Sequence, residues 1–207
     1  MTNGILGKKL GMTQVFTEQG SLIPVTVIEA GPCKVSQVKT IKRDGYESVQ
    51  LAFQDVQDRK LTKAQIGHLR KANLSGYRIL REFKLLSETQ LGELIGAGIF
   101  TKGEWVDVEG ISKGKGFQGV MKRHHYKGGP ETHGSMFHRA PGSIGSSSSP
   151  SRVWKNKKLP GHMGSERVTV QRLKVIDVRP DENLILIEGA VPGPTGGTVA
   201  IKKSKKA

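Results

Sequence analysis

Arg167-Val168-Thr169-Val170-Gln171-Arg172-Leu173-Lys174-Val175-Ile176-Asp177-Val178 is the stretch on which the reading of the fold turns. Its apolar and β-branched residues alternate with polar ones, the pattern of a half-buried strand. Two further apolar runs follow, Leu184 to Ile187 and Thr198 to Ile201, separated by the turn-rich stretch Gly189 to Gly197. Three strands are too few to stand as a domain of their own. They are expected to complete a sheet or barrel begun upstream, so that the segment before them leaves that body and returns to it.

The upstream chain supplies the missing strands. Residues 1–56 read as β: Met12 to Phe16, a turn at Thr17-Glu18-Gln19-Gly20, then Ile23 to Ala30 with Pro24 near its start, where a missing N–H is tolerable. Val35 to Ile41 alternates, and Lys42-Arg43-Asp44-Gly45 reads as a hairpin-type turn into Tyr46 to Phe53. Thr62-Lys63-Ala64-Gln65 can start a short helix with Thr62 as its cap, although Gly67 weakens it. Tyr77 to Leu85 returns to strand-like residues, Ser87 to Phe100 reads as a loop or short helix, and Trp105 to Val108 gives one more strand. The expected fold is mainly β. A barrel body is formed by residues 1–111 and 166–207, with an irregular or helical insert at about 58–100 and an extended basic loop over 112–165.

Charge is concentrated in that loop. Ile111 to Ser165 carries a net +9 of the chain's +15, with Glu131 as its one acid. Five of the six histidines and ten glycines fall there too. So charged and glycine-rich a segment buries too little apolar surface to offset the entropy of its own ordering. It needs a partner, and the partner should be polyanionic. An out-and-back path would carry the segment well beyond the body. A membrane surface fits poorly, because no apolar run nears the roughly 20 residues of a spanning helix and the glycines oppose an amphipathic one. Cys33 is the single cysteine, which excludes an intramolecular disulfide or a cysteine-based zinc site. The opening residues lack the long apolar run of a secretory signal, so the chain reads as intracellular.

Three chemical motifs in the loop can be weighed. Gly114-Lys115-Gly116-Phe117-Gln118-Gly119 matches the dinucleotide-binding fingerprint letter for letter, but no acid follows at about 20 residues. The glycines are better read as letting the backbone approach phosphates or packed surfaces closely. The histidines lack the carboxylate or cysteine company of a metal site, and Pro141-Gly142-Ser143-Ile144-Gly145 misses the nucleophile-elbow pattern at its first glycine. No cofactor, metal or small-molecule substrate is expected.

The combination is more specific than any of these. Lys113, Lys115, Lys122, Arg123, Lys127, Arg139, Arg152, Lys155, Lys157 and Lys158 are interleaved with Phe117, Tyr126, Phe137 and Trp154. Cations release counterions from phosphates, and aromatics such as Trp154 offer stacking platforms. In such company His124, His125, His133, His138 and His162 are candidates for contacts with bases, phosphates or 2′-hydroxyls. A nucleic-acid-processing enzyme using the histidines is the rival reading, and a free translation factor a third.

Several long motifs carry a resemblance. Gly4-Ile5-Leu6-Gly7-Lys8-Lys9-Leu10-Gly11-Met12-Thr13-Gln14, Ile111 to Arg123, His133-Gly134-Ser135, His138 to Gly145, Gly161-His162-Met163-Gly164 and Val168-Thr169-Val170-Gln171 resemble the bacterial large-subunit ribosomal protein L-three family over essentially the whole chain. The resemblance implies a translation-factor-like barrel body on the subunit surface. It also implies a long extension threading between helices of large-subunit (23S-type) ribosomal RNA toward the peptidyl transferase centre. Binding early in assembly and contacts with proteins L-fourteen and L-nineteen are implied as well, all in the cytoplasm. The implied tip is Gly142 to Gly145, with Ser143, and the serines that follow. Some members have a methylated glutamine directly after that motif; Ser146 stands there in this chain and cannot receive that modification.

Overall fold

The computed structural model describes residues 2–206. Its strands are β1 (Gly4–Phe16), β2 (Leu22–Ala30), β3 (Cys33–Lys39), β4 (Ser48–Asp55), β5 (Tyr77–Lys84), β6 (Leu94–Ile95) and β7 (Trp105–Ile111). They continue with β8 (Gly116–Gln118), β9 (Gly161–Met163), β10 (Arg167–Arg179), β11 (Leu184–Glu188) and β12 (Thr198–Lys203). Three short helices are α1 (Ile41–Asp44), α2 (Lys63–Arg70) and α3 (Val120–His124). The chain divides into two compact units, one running up to Ser112 and resuming at Arg167, the other spanning Lys113–Glu166.

In the first unit six antiparallel strands close a barrel in the order β1-β12-β7-β10-β11-β2. The late strands are interleaved with the early ones: β12 lies between β1 and β7, and β10 and β11 lie between β7 and β2. This is the mainly β, barrel-forming class expected. Alternation supplies the core. Val106 and Val108 of β7, Val199 and Ile201 of β12, and Ile185 and Ile187 of β11 are each buried two residues apart on one face. Each such side chain stabilises the fold by about 1.5–3 kcal/mol. Ile111 pairs with Arg167, so the two ends of the inserted segment leave from neighbouring strands.

The strand β1 begins at Gly4, not at Met12 as expected. Its first half is rich in Gly and Lys, which local preference places outside strands. Packing explains them. A Cβ on Gly7 would lie 2.8 Å from both the Glu29 carbonyl oxygen and the Ile28 side chain, so the β1–β2 crossing needs glycine. Lys9 is buried, and its ammonium donates to the carbonyls of Val191 (3.0 Å) and Gly193 (3.2 Å), which offsets the cost of removing it from water.

A second sheet, in the order β5-β4-β3-β6, belongs to the same unit. It includes β3 and β4, so the departure from the barrel starts at Cys33 and not at 58. Its Val35, Val49, Leu51 and Phe83 pack into one core cluster with Ile5, Ile28 and Ile201 of the barrel. The expected cap on α2 is present: Thr62 Oγ1 accepts from the Gln65 N–H at 3.4 Å, and Gln65 Oε1 accepts from the Thr62 N–H at 3.0 Å. Lys42 to Gly45 forms no simple hairpin turn. Ile41–Asp44 closes one helical turn, which Gly45 ends at φ 82°. The Ser87 to Phe100 region contributes β6 and a 3-10 turn at Ala97–Ile99.

Candidate nucleic-acid interface

Within Lys113–Glu166 the chain is not the bare loop its composition suggests. Strands β8 and β9 pair antiparallel, with Gly116, Phe117 and Gln118 opposite Met163, His162 and Gly161. The Lys115 N–H extends this ladder to the Met163 carbonyl at 2.9 Å. Helix α3 follows at once and ends on His125, which takes the left-handed conformation at φ 61°. Among the described residues of this unit Val120 alone is buried. So small a core needs polar ties to hold the outgoing and returning arms together.

Those ties come from side chains after β8. Arg123 donates to the Leu159 carbonyl at 2.8 Å, and His124 Nε2 meets the same oxygen at 3.0 Å. Because a carbonyl only accepts, His124 must carry its proton on Nε2. The Tyr126 hydroxyl donates to the Lys158 carbonyl at 3.2 Å. Further along, the Gly129 N–H donates to the His138 carbonyl at 3.0 Å, and His138 Nδ1 returns a bond to the Pro130 carbonyl at 3.0 Å. Here the outgoing arm folds back on itself so closely that a Cβ on Gly129 would overlap the Phe137 carbonyl. Arg123, His124 and His138, candidates for RNA contact in the sequence, therefore also contribute to the unit's own architecture.

The other candidates face outward. Lys113, Lys115, Lys122, Lys127, Arg139, Arg152, Lys155, Lys157 and Lys158 are all exposed. His125, His133 and His162 are exposed, and among the described residues no three or more His, Cys, Asp or Glu come together as a group able to hold a metal ion. Arg152 lies over the Trp154 ring at 4.8 Å, which pre-sets a cation on an aromatic face. The Ser143 hydroxyl donates to the Gly145 carbonyl at 2.9 Å and accepts from the Gly145 N–H at 3.4 Å, turning the chain just before Ser146. Phe117 is 76% exposed and Met136 99% exposed. Met136 was not singled out by sequence, because one methionine among polar residues carries no periodic signal. Tyr126 reads as a stacking platform in sequence and is instead half-buried on Lys158.

In a Ser-His-Asp triad a buried acid orients the histidine and stabilises its charged form. Here the rings of His124 and His138 are bonded to main-chain carbonyls. Inside Ile111 to Ser165 the one carboxylate is Glu131. The ion pairs of Glu82, Glu104, Glu109, Asp177 and Glu182 all lie in the barrel unit. A closed barrel interrupted by a unit that ties its own two arms together and turns nine cations to solvent defines a basic β-barrel protein.

Comparison with known proteins gives that class its family. Residues 34–183 match the family model described as ribosomal protein L3. The chain is 54% identical to large ribosomal subunit protein uL3 of Geobacillus sp. (strain WCH70) over 209 aligned residues, covering 100% of this chain and 99% of the relative. It is 56% identical to the uL3 of Trichlorobacter lovleyi at 100% and 99% coverage, and 55% identical to that of Geobacillus thermodenitrificans at the same coverage. The chain belongs to the bacterial ribosomal protein L3 family, whose members are components of the cytoplasmic large ribosomal subunit.

Proposed function

We propose that this chain binds large-subunit ribosomal RNA early in assembly and that the Lys113–Glu166 unit is its principal RNA contact. The observation that carries this is the segregation of charge: ten cations against Glu131 between Ile111 and Ser165, nine of those cations exposed. Each lysine or arginine near a phosphate releases condensed counterions, a gain the free unit has no other means of making. Exposed Phe117 and Trp154 supply base-stacking faces beside those cations. The tip at Gly142 to Gly145 and the following serines approach the peptidyl transferase centre, where they hold RNA in position and donate no catalytic group. Ser146 leaves this tip without methylglutamine. Proteins L-fourteen and L-nineteen are the proposed neighbours, an expectation that rests on the family.

The test is binding to naked large-subunit RNA across a salt series, full-length chain against a deletion of residues 115–160. The full-length chain should show a steep slope, and deletion should remove several units of it at roughly 0.7–0.9 per phosphate contact. Unchanged affinity and slope would place RNA binding on the barrel alone.

A further inference from the structure

The hairpin arm formed by the far ends of β1 and β2 is chemically unlike the rest of the chain. Between Leu10 and Ile28 Glu18 is the only charged residue, in a protein of net charge +15. The paired register sets Met12 opposite Thr26, Gln14 opposite Pro24 and Phe16 opposite Leu22, so these six share one face. On that face Met12 is 52% exposed, Phe16 73% and Leu22 48%. Contiguous exposed apolar side chains at this density mark an interaction surface.

The backbone along the same arm is also unpartnered. Among the described residues β12 pairs with β1 only from Gly4 to Lys8, and the last bonds across that edge join Lys9 to Gly196 and Gly197. The Thr17 N–H donates to the Ser21 carbonyl at 2.9 Å, which fixes the alternation of the hairpin. Phe16, Gln14 and Met12 then turn their N–H and C=O groups away from β2, toward the open edge. Pro24, opposite Gln14, has no N–H to offer, and its carbonyl accepts from the Gly189 N–H at 2.8 Å on the far side. An open strand edge beside an apolar face is the template for strand addition by another polypeptide.

Charge decides between kinds of partner. RNA is held through phosphates, and this face offers no cation to them. The cations near the arm, Lys102, Lys174 and Arg179, line a cleft of about 600 Å³ with Val15 and Ile23, which alternate to the other face of the arm. Phe16 at the arm's end borders it too, and Glu18 and Asp177 share it with the cations. We infer that the Met12–Phe16 edge and its apolar face dock a neighbouring protein of the large subunit, which adds a strand to β1 and covers Met12, Phe16 and Leu22. The partner is defined by its chemistry: a free strand edge flanked by apolar side chains and little negative charge. This inference is independent of the RNA reading above, because deletion of residues 115–160 leaves the arm intact.

The experiment places a photoreactive benzoyl-phenylalanine at Phe16 and irradiates intact large subunits. Mass spectrometry after nuclease and protease digestion should find the adduct on a peptide of a different protein. An adduct on ribosomal RNA, an adduct on a second copy of this chain, or no adduct would overturn the inference. Hydrogen exchange reads strand addition separately. Amides of the peptide Met12–Phe16 should exchange slower by about tenfold or more in the subunit than in the free chain. Equal rates would refute strand addition. The exposed-face variant Phe16→Glu should melt with the wild-type chain when free, yet lose that protection by about tenfold in subunits; retained protection would also count against the docking.

Discussion

The guanidinium of Arg123 donates to the carbonyl of Leu159 at 2.8 Å, across 36 residues of sequence, and His124 Nε2 converges on the same oxygen. One main-chain carbonyl thus ties the outgoing arm of the basic unit to the returning one. The Arg123→Ala variant should loosen the unit by about 1–2 kcal/mol, the worth of one charge-assisted bond to a partly exposed carbonyl. Hydrogen exchange across Gly116–Gln118 and Gly161–Met163 should accelerate about tenfold while the barrel's melting temperature is unchanged. Unaltered exchange would mean that the β8–β9 ladder holds the arms unaided.

Lys155, Lys157 and Lys158 are exposed and close together on the returning arm. If they meet phosphates, changing all three to alanine should lower the salt slope of RNA binding by about 2–3. Arginine at the same positions should keep the slope. A triple-alanine chain with the wild-type slope would move the phosphate contacts to the outgoing arm.

Glu109 accepts from Lys202 at 2.9 Å, with Arg167 at 3.6 Å. Burial pushes its carboxyl up, but Lys202 and then Arg167 outweigh burial and leave it below the ordinary carboxylate value. Because folding lowers this pKa, the stabilisation is complete above the unfolded value of about 4.3 and is lost as pH falls through the lower folded value. Glu109→Gln should cost about 1 kcal/mol at neutral pH and nothing in strong acid. Urea melts at pH 7 and pH 2.5 check this; an equal cost at both would show that the carboxylate's charge is irrelevant.

Cys33 is buried, and burial pushes its thiol up to about 12. The thiolate is the reactive form. Iodoacetamide at pH 8 should therefore label the native chain only at the rate at which it unfolds, and label the urea-unfolded chain at the rate of a free cysteine. Rapid native labelling would require a local opening where Cys33 pairs with Ile95 of β6.

Much of the fold was legible because strands announce which face is buried. Arg167 to Val178 reads in sequence as one alternating strand, and what that reading passes over is a change of phase between Val170 and Leu173 and again at Val175-Ile176. In the structure β10 shifts register against β7 between Val170 and Leu173, and against β11 between Val175 and Asp177. At the first shift Arg172 adopts φ 55°, its N–H is held by Asp107 Oδ1 at 3.0 Å, and its guanidinium lies over Trp105 at 5.6 Å. Less legible were elements built against local preference. The Gly4–Gly11 half of β1 hides behind glycines and lysines, of which Gly4 lies against the Ile201 carbonyl of β12, Gly7 against β2, and Lys9 against the Val191–Gly193 turn. The cationic stretch was plain in sequence as a candidate site, but the inward use of Arg123, His124 and Tyr126 was not.

By itself the amino-acid order determined that the protein is mainly β, that strands after Arg167 complete a body begun before Gly110, and that positive charge is concentrated between them. Periodicity and composition are local quantities, and each survives without knowing any partner. Tertiary structure decided the rest: the closure of β1 on β12 and β2, the second sheet beginning at Cys33, and the edge of β1 left open at Met12 to Phe16. It also decided that Leu159 offers the carbonyl on which Arg123 and His124 meet. Strand pairing and side-chain-to-backbone bonds join residues tens to hundreds of positions apart. Their strength depends on geometry that no window of sequence contains.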